Sequence, residues 1–170
     1  MEQKKGKPSK LSLELLSEKN LAAARKLQRE DISEDFVDTV DTIWELTQYG
    51  LSHHCIGHTY AVNYEGRCIG LILLGEALPW ETDPAEMRET PFYRLMGFVL
   101  DRSFRGQGIG GAVLEEAISL IYREFGVRPI ACGVHRENHR AARFYEKHGF
   151  HRTDAMEGND FYFLRYPGTK

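Results

Sequence analysis

The segment "RSFRGQGIGGAVLEEAISLI", from Arg102 to Ile121, places four glycines just before an apolar-periodic run. Glycine loses more conformational entropy on folding than any other residue, so this cluster indicates that something approaches the backbone closely. Consecutive N–H groups at a helix N terminus, with the positive end of the helix dipole, favour a bound anion. The segment therefore predicts a pyrophosphate site, with Arg105 adding positive charge. The alternative, a tight turn, needs one glycine rather than four.

Two familiar nucleotide-binding motifs do not fit this segment. The spacing Gly106-x-Gly108-x-x-Gly111 matches the dinucleotide fingerprint, but that fingerprint belongs on an early strand followed by a long α/β sequence. Here it follows residue 100, and the next predicted strand lacks the acidic residue expected to bind a ribose. A P-loop requires Gly-Lys-Ser/Thr, which the segment lacks.

The overall composition narrows the choice of partners. The chain has 170 residues, 42% of them hydrophobic, and a formal net charge of −3, which argues against nucleic acid as a main partner. No apolar run approaches the roughly 20 residues of a membrane span, and the lysine-rich N terminus lacks a signal-peptide core. We expect a flexible basic tail over residues 1–10, a single domain over 11–170, a cytoplasmic location, and no nucleic-acid or membrane partner.

The cysteines indicate free thiols. Three are present, Cys55, Cys68 and Cys132, without CxxC spacing, as is typical of a reducing compartment. Cys68 and Cys132 lie in strand-like runs and are predicted to be buried. Cys55 lies in the histidine-rich stretch 53–58, where a zinc site is the alternative, but the stretch offers no context for a complete ligand set. We expect no metal.

The order of predicted elements indicates the fold class. A strand over 11–15 precedes two helices, "NLAAARKLQR" and "EDFVDTVDTIWELTQYGL", the second capped by Ser33 and ended by Gly50. Next comes a hairpin that turns at Glu65-Gly66, followed by a loop. The strand "FYRLMGFVLD" then leads directly into the glycine cluster and its helix. The strand "VRPIACGVH", the helix "HRAARFYEKH" and the strand "FYFLRY" complete the chain. This order predicts an α/β protein with a mixed sheet and helices on its faces.

Two motifs carry a resemblance to a known family. The stretch "VLDRSFRGQGIGGAVLEEA" resembles motif A of the GCN5-related N-acetyltransferase (GNAT) family, with Arg105, Gly108 and Gly110 at the matching positions. The later stretch "ENHRAARFYEKHGF" resembles the family's second motif. The element order matches from about Leu11 to Tyr166. The resemblance implies the GNAT acyl-CoA N-acyltransferase fold, a central mixed sheet of about six to seven strands flanked by helices on both faces.

The resemblance implies acetyl-CoA as co-substrate and assigns the binding residues. The pantetheine arm would lie like an extra strand between two parted strands, which contain Gly97 and Gly133. Backbone groups of Phe98, Val99 and Leu100, together with Asn138, would contact the pantetheine, and Tyr145 would also contact the co-substrate. The pyrophosphate would be held by Arg105, Gly106, Gln107, Gly108, Ile109, Gly110 and Gly111.

Acetyl transfer to an amine requires amine deprotonation, oxyanion stabilisation and protonation of the leaving thiolate. A backbone N–H of the strand 98–100 is the expected oxyanion donor. The resemblance gives Tyr145 the role of general acid; the alternative is an amphipathic core tyrosine. Many family members carry a glutamate in the strand before the glycines, whereas "YRLM" here has no carboxylate. The candidate bases are Glu81, which is favoured, a water chain to solvent, and Glu76, Asp83, Glu137 and His135.

Acidic residues suggest the acceptor. Glu34, Asp38, Asp41 and Glu45 are spaced to share one face of the predicted second helix, and the loop Glu76–Glu89 adds more carboxylates. In the family, these parts shape the acceptor pocket. A negative rim attracts cations, so we expect a small cationic amine such as a polyamine. The alternatives are a protein or peptide acceptor and a non-catalytic acetyl-CoA sensor, and a homodimer remains open.

Overall fold

The computed structural model describes residues 10–168, so the predicted tail lies outside the described residues except for Lys10. The strands are β1 (Leu11–Leu15), β2 (Gly57–Tyr64), β3 (Arg67–Glu76), β4 (Tyr93–Leu100), β5 (Ile130–His135), β6 (His151–Glu157) and β7 (Asp160–Arg165). The helices are α1 (Glu18–Arg25), α2 (Val40–Ser52), α3 (Glu86–Glu89), α4 (Ile109–Phe125) and α5 (His139–Lys147), with a 3₁₀ turn at Arg102–Phe104.

The strands form one seven-stranded mixed sheet in the order β1-β2-β3-β4-β5-β7-β6. Only β4 and β5 pair in parallel, and every other neighbouring pair within residues 10–168 is antiparallel. The predicted mixed sheet is therefore confirmed. The last strand, β7, lies inside the sheet because β6, which the sequence did not predict, covers its outer edge. The polar residues of β6 explain the omission, since β-propensity reflects a half-buried apolar surface.

Helices cover both faces of the sheet. The buried stripe of α4 packs on one face and consists of Val113, Leu114, Ala117, Ile118 and Ile121. On the other face, α1 and α2 pack against buried residues of β2, β3 and β4. Because apolar side chains from both layers are removed from water, the sheet is held between two separate hydrophobic clusters.

The feature that positions the site is a gap between β4 and β5. These strands are paired only from Tyr93–Leu95 to Ile130–Cys132, so the remaining residues of each strand have no partner across the gap. The β3–β4 register also shifts between Leu71 and Leu73, opposite Gly97, whose φ is +58°. A Cβ at Gly97 would lie 2.7 Å from the Ile43 side chain. Glycine therefore permits both the bulge and the close approach of α2.

The predicted start of the second helix is wrong. Thr39 caps α2, and its Oγ1 accepts a hydrogen bond from the Thr42 N–H at 3.2 Å. Ser33, the predicted cap, instead accepts from the Asp35 N–H at 3.1 Å within an irregular turn. The helix also continues beyond Gly50 to Ser52.

Arg29 explains why residues 34–39 are not helical. Its guanidinium donates to the carbonyl oxygens of Val37 at 2.9 Å and Asp38 at 2.7 Å, which an extended helix would use internally. The predicted acidic helix face is therefore wrong: Glu34 and Asp38 belong to the irregular segment, whereas Asp41 lies on α2. That segment carries Asp38 into the cleft described below.

Three smaller features concern the cysteines, the clusters of metal-binding side chains and the helix lengths. The cysteines are free, and Cys132 is buried, but Cys68 is only half-buried, contrary to expectation. In the described part of the chain, no cluster of three or more His, Cys, Asp or Glu side chains is arranged to hold a metal, including the stretch 53–58. None of the helices within residues 10–168 has the length and apolar character that a membrane crossing requires.

Candidate active site

A cleft of about 1140 Å³ opens where β4 and β5 part. Its walls are residues 94–100 of β4 and 132–134 of β5. The predicted contact residues Phe98, Val99 and Leu100 lie on the first wall. The gap leaves one backbone edge of each strand unpaired, as an inserted extended ligand requires.

The glycine loop forms one side of this cleft. Within residues 10–168, no backbone N–H of residues 106–111 finds a hydrogen-bond acceptor. Gly106 and Gly108 have φ values of +74° and +78°, and a Cβ at either would meet nothing within 4 Å. Glycine is therefore needed there for backbone conformation, and the exposed N–H groups lie at the positive end of α4.

The other two glycines serve a different purpose. A Cβ at Gly111 would lie 2.7 Å from the His148 ring, and one at Gly110 would lie 3.4 Å from the Phe144 ring. Both aromatic side chains come from α5 or the residue after it. Gly110 and Gly111 therefore allow α5 to pack closely against the first turn of α4, which brings the two sequence motifs together.

Arg105 lies at the cleft, but its guanidinium has protein partners. It donates to the carbonyl oxygens of Leu100 at 2.9 Å and Gln28 at 3.3 Å, and it pairs with Asp31. The hydrogen bond from Arg105 lowers the pKa of the Asp31 carboxyl. Gln107 donates to the Ser103 carbonyl at 3.0 Å.

Two predicted site residues do not line the cleft. Gln107 is exposed, and Ile109 packs partly buried against the core. Their backbone N–H groups nevertheless belong to the unpaired set at residues 106–111.

Helix α5 brings Asn138 and Tyr145 to the cleft. The Asn138 side-chain oxygen caps α5 by accepting from the Ala141 N–H at 3.2 Å. Tyr145 is 8% exposed and is held edge-on between the rings of Phe144 and Phe150. Burial, with a contribution from Cys132, raises the pKa of the Tyr145 phenol well above its ordinary value, so the phenol keeps its proton at neutral pH.

The charges lining the cleft are segregated. What we call the loop end comprises residues 105–111 and the α5 region, where basic side chains outnumber carboxylates. The basic side chains are Arg105, His139, Arg140, Lys147 and His148, and the carboxylates are Glu137 and Asp31, which is paired with Arg105. The acidic end comprises residues 34–38 and 157–160, and its carboxylates are Glu34, Asp35, Asp38, Glu157 and Asp160. Opposite charges at two ends of one cleft suit a ligand pair of opposite charge.

A buried ion pair fixes the loop before β4 beside the acidic end. The side chains of Arg94 and Asp83 are 7% and 6% exposed and 3.1 Å apart. Arg94 also stacks 3.7 Å from the Trp80 ring, and the Tyr162 hydroxyl donates to Asp83 at 2.8 Å. Arg94, Trp80 and Tyr162 line the cleft. Their mutual bonds hold an aromatic wall in place.

Among the predicted bases, only Glu137 lines the cleft. Glu76 Oε1 instead accepts from the Ile56 N–H at 2.7 Å. Glu81 is exposed, and its carbonyl oxygen accepts from Arg88 at 2.9 Å. Asp83 is committed to Arg94. The favoured candidate, Glu81, does not line the cleft, although the neighbouring Trp80 does.

Sequence reasoning missed the residues contributed by the β6–β7 turn. Glu157 and Asp160 line the cleft, and burial together with nearby Glu157, Asp38 and Asp35 raises the pKa of the Asp160 carboxyl, opposed by His135. The one available signal was the Gly158-Asn159 pair, a turn dipeptide that would have indicated a hairpin.

Comparison with solved structures establishes the fold independently. Naa50 of Arabidopsis thaliana, in complex with a bisubstrate analogue CoA-Ac-MVNAL, superposes with a TM-score of 0.62 at 21% identity, covering 91% of this chain and 97% of that one. The PaiA N-acetyltransferase of Thermoplasma acidophilum, in complex with coenzyme A, gives 0.65 at 19% identity, covering 92% and 98%. Aminoglycoside acetyltransferase AAC(6')-Ib, in complex with ribostamycin and coenzyme A, gives 0.70 at 22% identity, covering 94% of both.

At these identities the likenesses show the fold. No curated protein matches the sequence significantly. The model of the Acetyltransferase (GNAT) family, however, matches residues 21–150, which is well over half of the chain and includes both motifs and the parted strands. The expected fold and the expected enzyme class are thereby confirmed, and this chain belongs to the acetyltransferase (GNAT) family.

Proposed function

We propose that the protein transfers the acetyl group of acetyl-CoA to a primary amine of a small cationic acceptor, such as a polyamine. The observation that carries this proposal is the charge segregation of the cleft. A coenzyme with a polyanionic head suits the loop end, and a polycation suits the acidic end. The coenzyme A complexes of PaiA and AAC(6')-Ib support the donor.

At the loop end, the unpaired N–H groups of residues 106–111 would hold the pyrophosphate. The pantetheine arm would extend into the gap along Phe98, Val99 and Leu100, where β4 has a free backbone edge. A backbone N–H of this strand would stabilise the oxyanion that forms on the thioester. Arg105 would contribute through its position beside the loop, since Asp31 and two carbonyl oxygens share its guanidinium.

Tyr145 would protonate the leaving thiolate. Its raised pKa keeps the proton on the phenol until a strong base forms beside it, and a departing thiolate is such a base. Its position near Cys132 places it at the start of the gap.

The test is an acetyl-CoA assay that follows release of the coenzyme A thiol. The acceptors are spermidine, an aminoglycoside, a peptide with a free N terminus and a neutral amino compound. We expect spermidine to give the highest kcat/KM, falling as salt rises because exposed charges are screened. A preference for the peptide or for the neutral compound would reject the cationic acceptor, and binding of acetyl-CoA without thiol release by any amine would favour a sensor.

A further inference from the structure

We propose that Asp160 is the general base that takes the proton from the acceptor's ammonium group. This assignment rests on the proposed function and adds the residue that the family motif leaves unfilled in β4, where Tyr93–Met96 carry no carboxylate. Three observations support the assignment of Asp160: its position at the start of β7, the absence of a hydrogen-bond or ion-pair partner for its carboxylate within residues 10–168, and the charged groups around it.

Asp160 lies where the parted strands form the cleft. It is the first residue of β7 and pairs with His135, the last residue of β5. A Cβ at Gly133 would lie 3.3 Å from Asp160 Oδ2, so the absence of a side chain at Gly133 makes room for this carboxylate. Gly133 is the first residue of β5 beyond its pairing with β4. The carboxylate is therefore beside the wall of the gap that would receive the thioester.

Asp160 and Tyr145 lie on opposite sides of this wall. Successive residues of a strand face opposite sides of the sheet, so Cys132 and Gly133 point apart. Tyr145 and Cys132 belong to the same hydrophobic core cluster, on the α4 side of the sheet, whereas Asp160 lies against Gly133. A base on one side and an acid on the other suit a reaction in which the amine and the thiol occupy opposite sides of the gap.

Its carboxylate is also free to act. Among residues 10–168, Asp160 has no hydrogen-bond or ion-pair partner for its side chain, whereas Asp31 is paired with Arg105 and Asp83 with Arg94. A carboxylate without a fixed cation keeps its lone pairs available for an incoming ammonium group.

The surroundings favour proton uptake. Half-burial of Asp160 and the carboxylates of Glu157, Asp38 and Asp35 raise its pKa, and His135 opposes them. The Glu137 N–H donates to His135 Nδ1 at 3.1 Å. Tyr162 lies two residues further along β7, and its hydroxyl group is hydrogen-bonded to the side chains of Asp83 and Thr82. A base is most effective when its pKa approaches the working pH, and these carboxylates move it in that direction.

The proposed step conserves charge and atoms. Asp160 accepts one proton from the ammonium, directly or through one water, and the freed lone pair forms the C–N bond to the acetyl carbon. The C–S bond breaks, its electron pair leaves on sulfur, and the thiolate takes the Tyr145 proton. The nitrogen gives up its second proton to solvent as the amide forms, and Asp160 then releases the first, so solvent gains two protons and returns one to Tyr145. The products are the acetylated amine, free coenzyme A and one proton.

The experiment compares Asp160→Asn with wild type by kcat, by coenzyme A affinity and by the pH profile of kcat/KM for spermidine. We expect kcat near neutral pH to fall by about 100-fold or more, with coenzyme A affinity unchanged. The deficit should narrow as pH approaches the amine pKa of about 10, because the amine then loses its proton to solvent. A purely structural defect would not be rescued by pH.

Two further variants test the effect of the neighbouring charge and provide a control outside the cleft. Glu157→Gln removes a charge that raises the Asp160 pKa, so it should move the acidic limb of the profile to lower pH. Asp154→Asn, on an exposed β6 residue outside the cleft, should change neither rate nor profile. An active wild type with an unaltered Asp160→Asn profile would overturn the base assignment and leave the acetyltransferase proposal intact. A wild type that acetylates no amine would overturn both.

Discussion

The loop end of the cleft is made mainly of backbone, whereas the acidic end is made of side chains. At the loop end, residues adjacent in the sequence supply the N–H groups. Gly106 and Gly108 allow the positive φ angles that the loop requires. At the acidic end, the carboxylates come from residues 34–38 and 157–160, which are far apart in the chain. The loop end can therefore be recognised from one short stretch of sequence, whereas the acidic end depends on which distant segments the fold brings together.

The largest effect should come from Tyr145, a residue of α5 that lines the cleft. Tyr145→Phe should lower kcat by about 100-fold or more, because the thiolate then leaves without a proton donor. Coenzyme A affinity and amine KM should change little, since the ring keeps its contacts with Phe144 and Phe150. Steady-state kinetics and calorimetry measure the two quantities separately. A wild-type kcat would remove Tyr145 from the mechanism.

The next effect tests the loop end alone. Gly108→Asp places a carboxylate beside the proposed pyrophosphate site and should weaken coenzyme A binding about 30-fold, or about 2 kcal/mol. Gly66→Asp is the matched control, because Gly66 has φ +81° in the β2–β3 turn and equally open surroundings. Both variants carry the same kind of backbone strain.

Calorimetric titration with coenzyme A distinguishes these variants. Equal losses of affinity in Gly108→Asp and Gly66→Asp would show that backbone strain, rather than the added charge, is responsible.

A smaller effect tests the acidic end. Asp38→Asn should raise the spermidine KM about fivefold, on the order of 1 kcal/mol, with coenzyme A affinity unchanged. Asp41→Asn is the control, because Asp41 is exposed on α2, bonds to Arg25 at 3.0 Å and lies outside the cleft. The sequence pattern placed these two carboxylates on one helix face, so equal effects would restore that prediction.

The smallest effect concerns stability. Burial and neighbouring carboxylates raise the folded-state pKa of Asp160, so ionisation destabilises the fold. The wild type should lose this stability as pH rises from the ordinary carboxyl value of about 3.9 through the raised folded value. Asp160→Asn should remove that loss and raise the Tm at pH 7, on the order of 1 °C. Thermal melts at pH 4 and pH 7 provide the comparison, and a lower Tm for the variant at pH 7 would contradict it.

Sequence patterns predicted the parts of the fold whose signals are local. The hairpin at Glu65-Gly66, the Asn138 cap of α5 and the helix after the glycines all appear where expected, because turn and cap chemistry acts over a few residues. Tyr145 lines the cleft, and its role as the general acid stays a prediction.

The remaining differences have long-range causes. Arg29 holds the carbonyls of Val37 and Asp38 and so delays the start of α2. The carboxylate of Asp160 reaches the cleft only because β7 pairs with β5, a pairing that no local pattern reveals. Tertiary contacts therefore determine which carboxylates meet at the acidic end, and local sequence patterns predict that end least well.

Binding of the pyrophosphate by the glycine loop is tested by isothermal titration of the wild-type protein with coenzyme A and, separately, with pantetheine, which lacks the pyrophosphate and nucleotide. If the N–H groups of residues 106–111 bind the pyrophosphate, coenzyme A should bind with a stoichiometry of one molecule per chain and far more tightly than pantetheine. Equal affinities for the two ligands, or no heat with coenzyme A, would contradict the account.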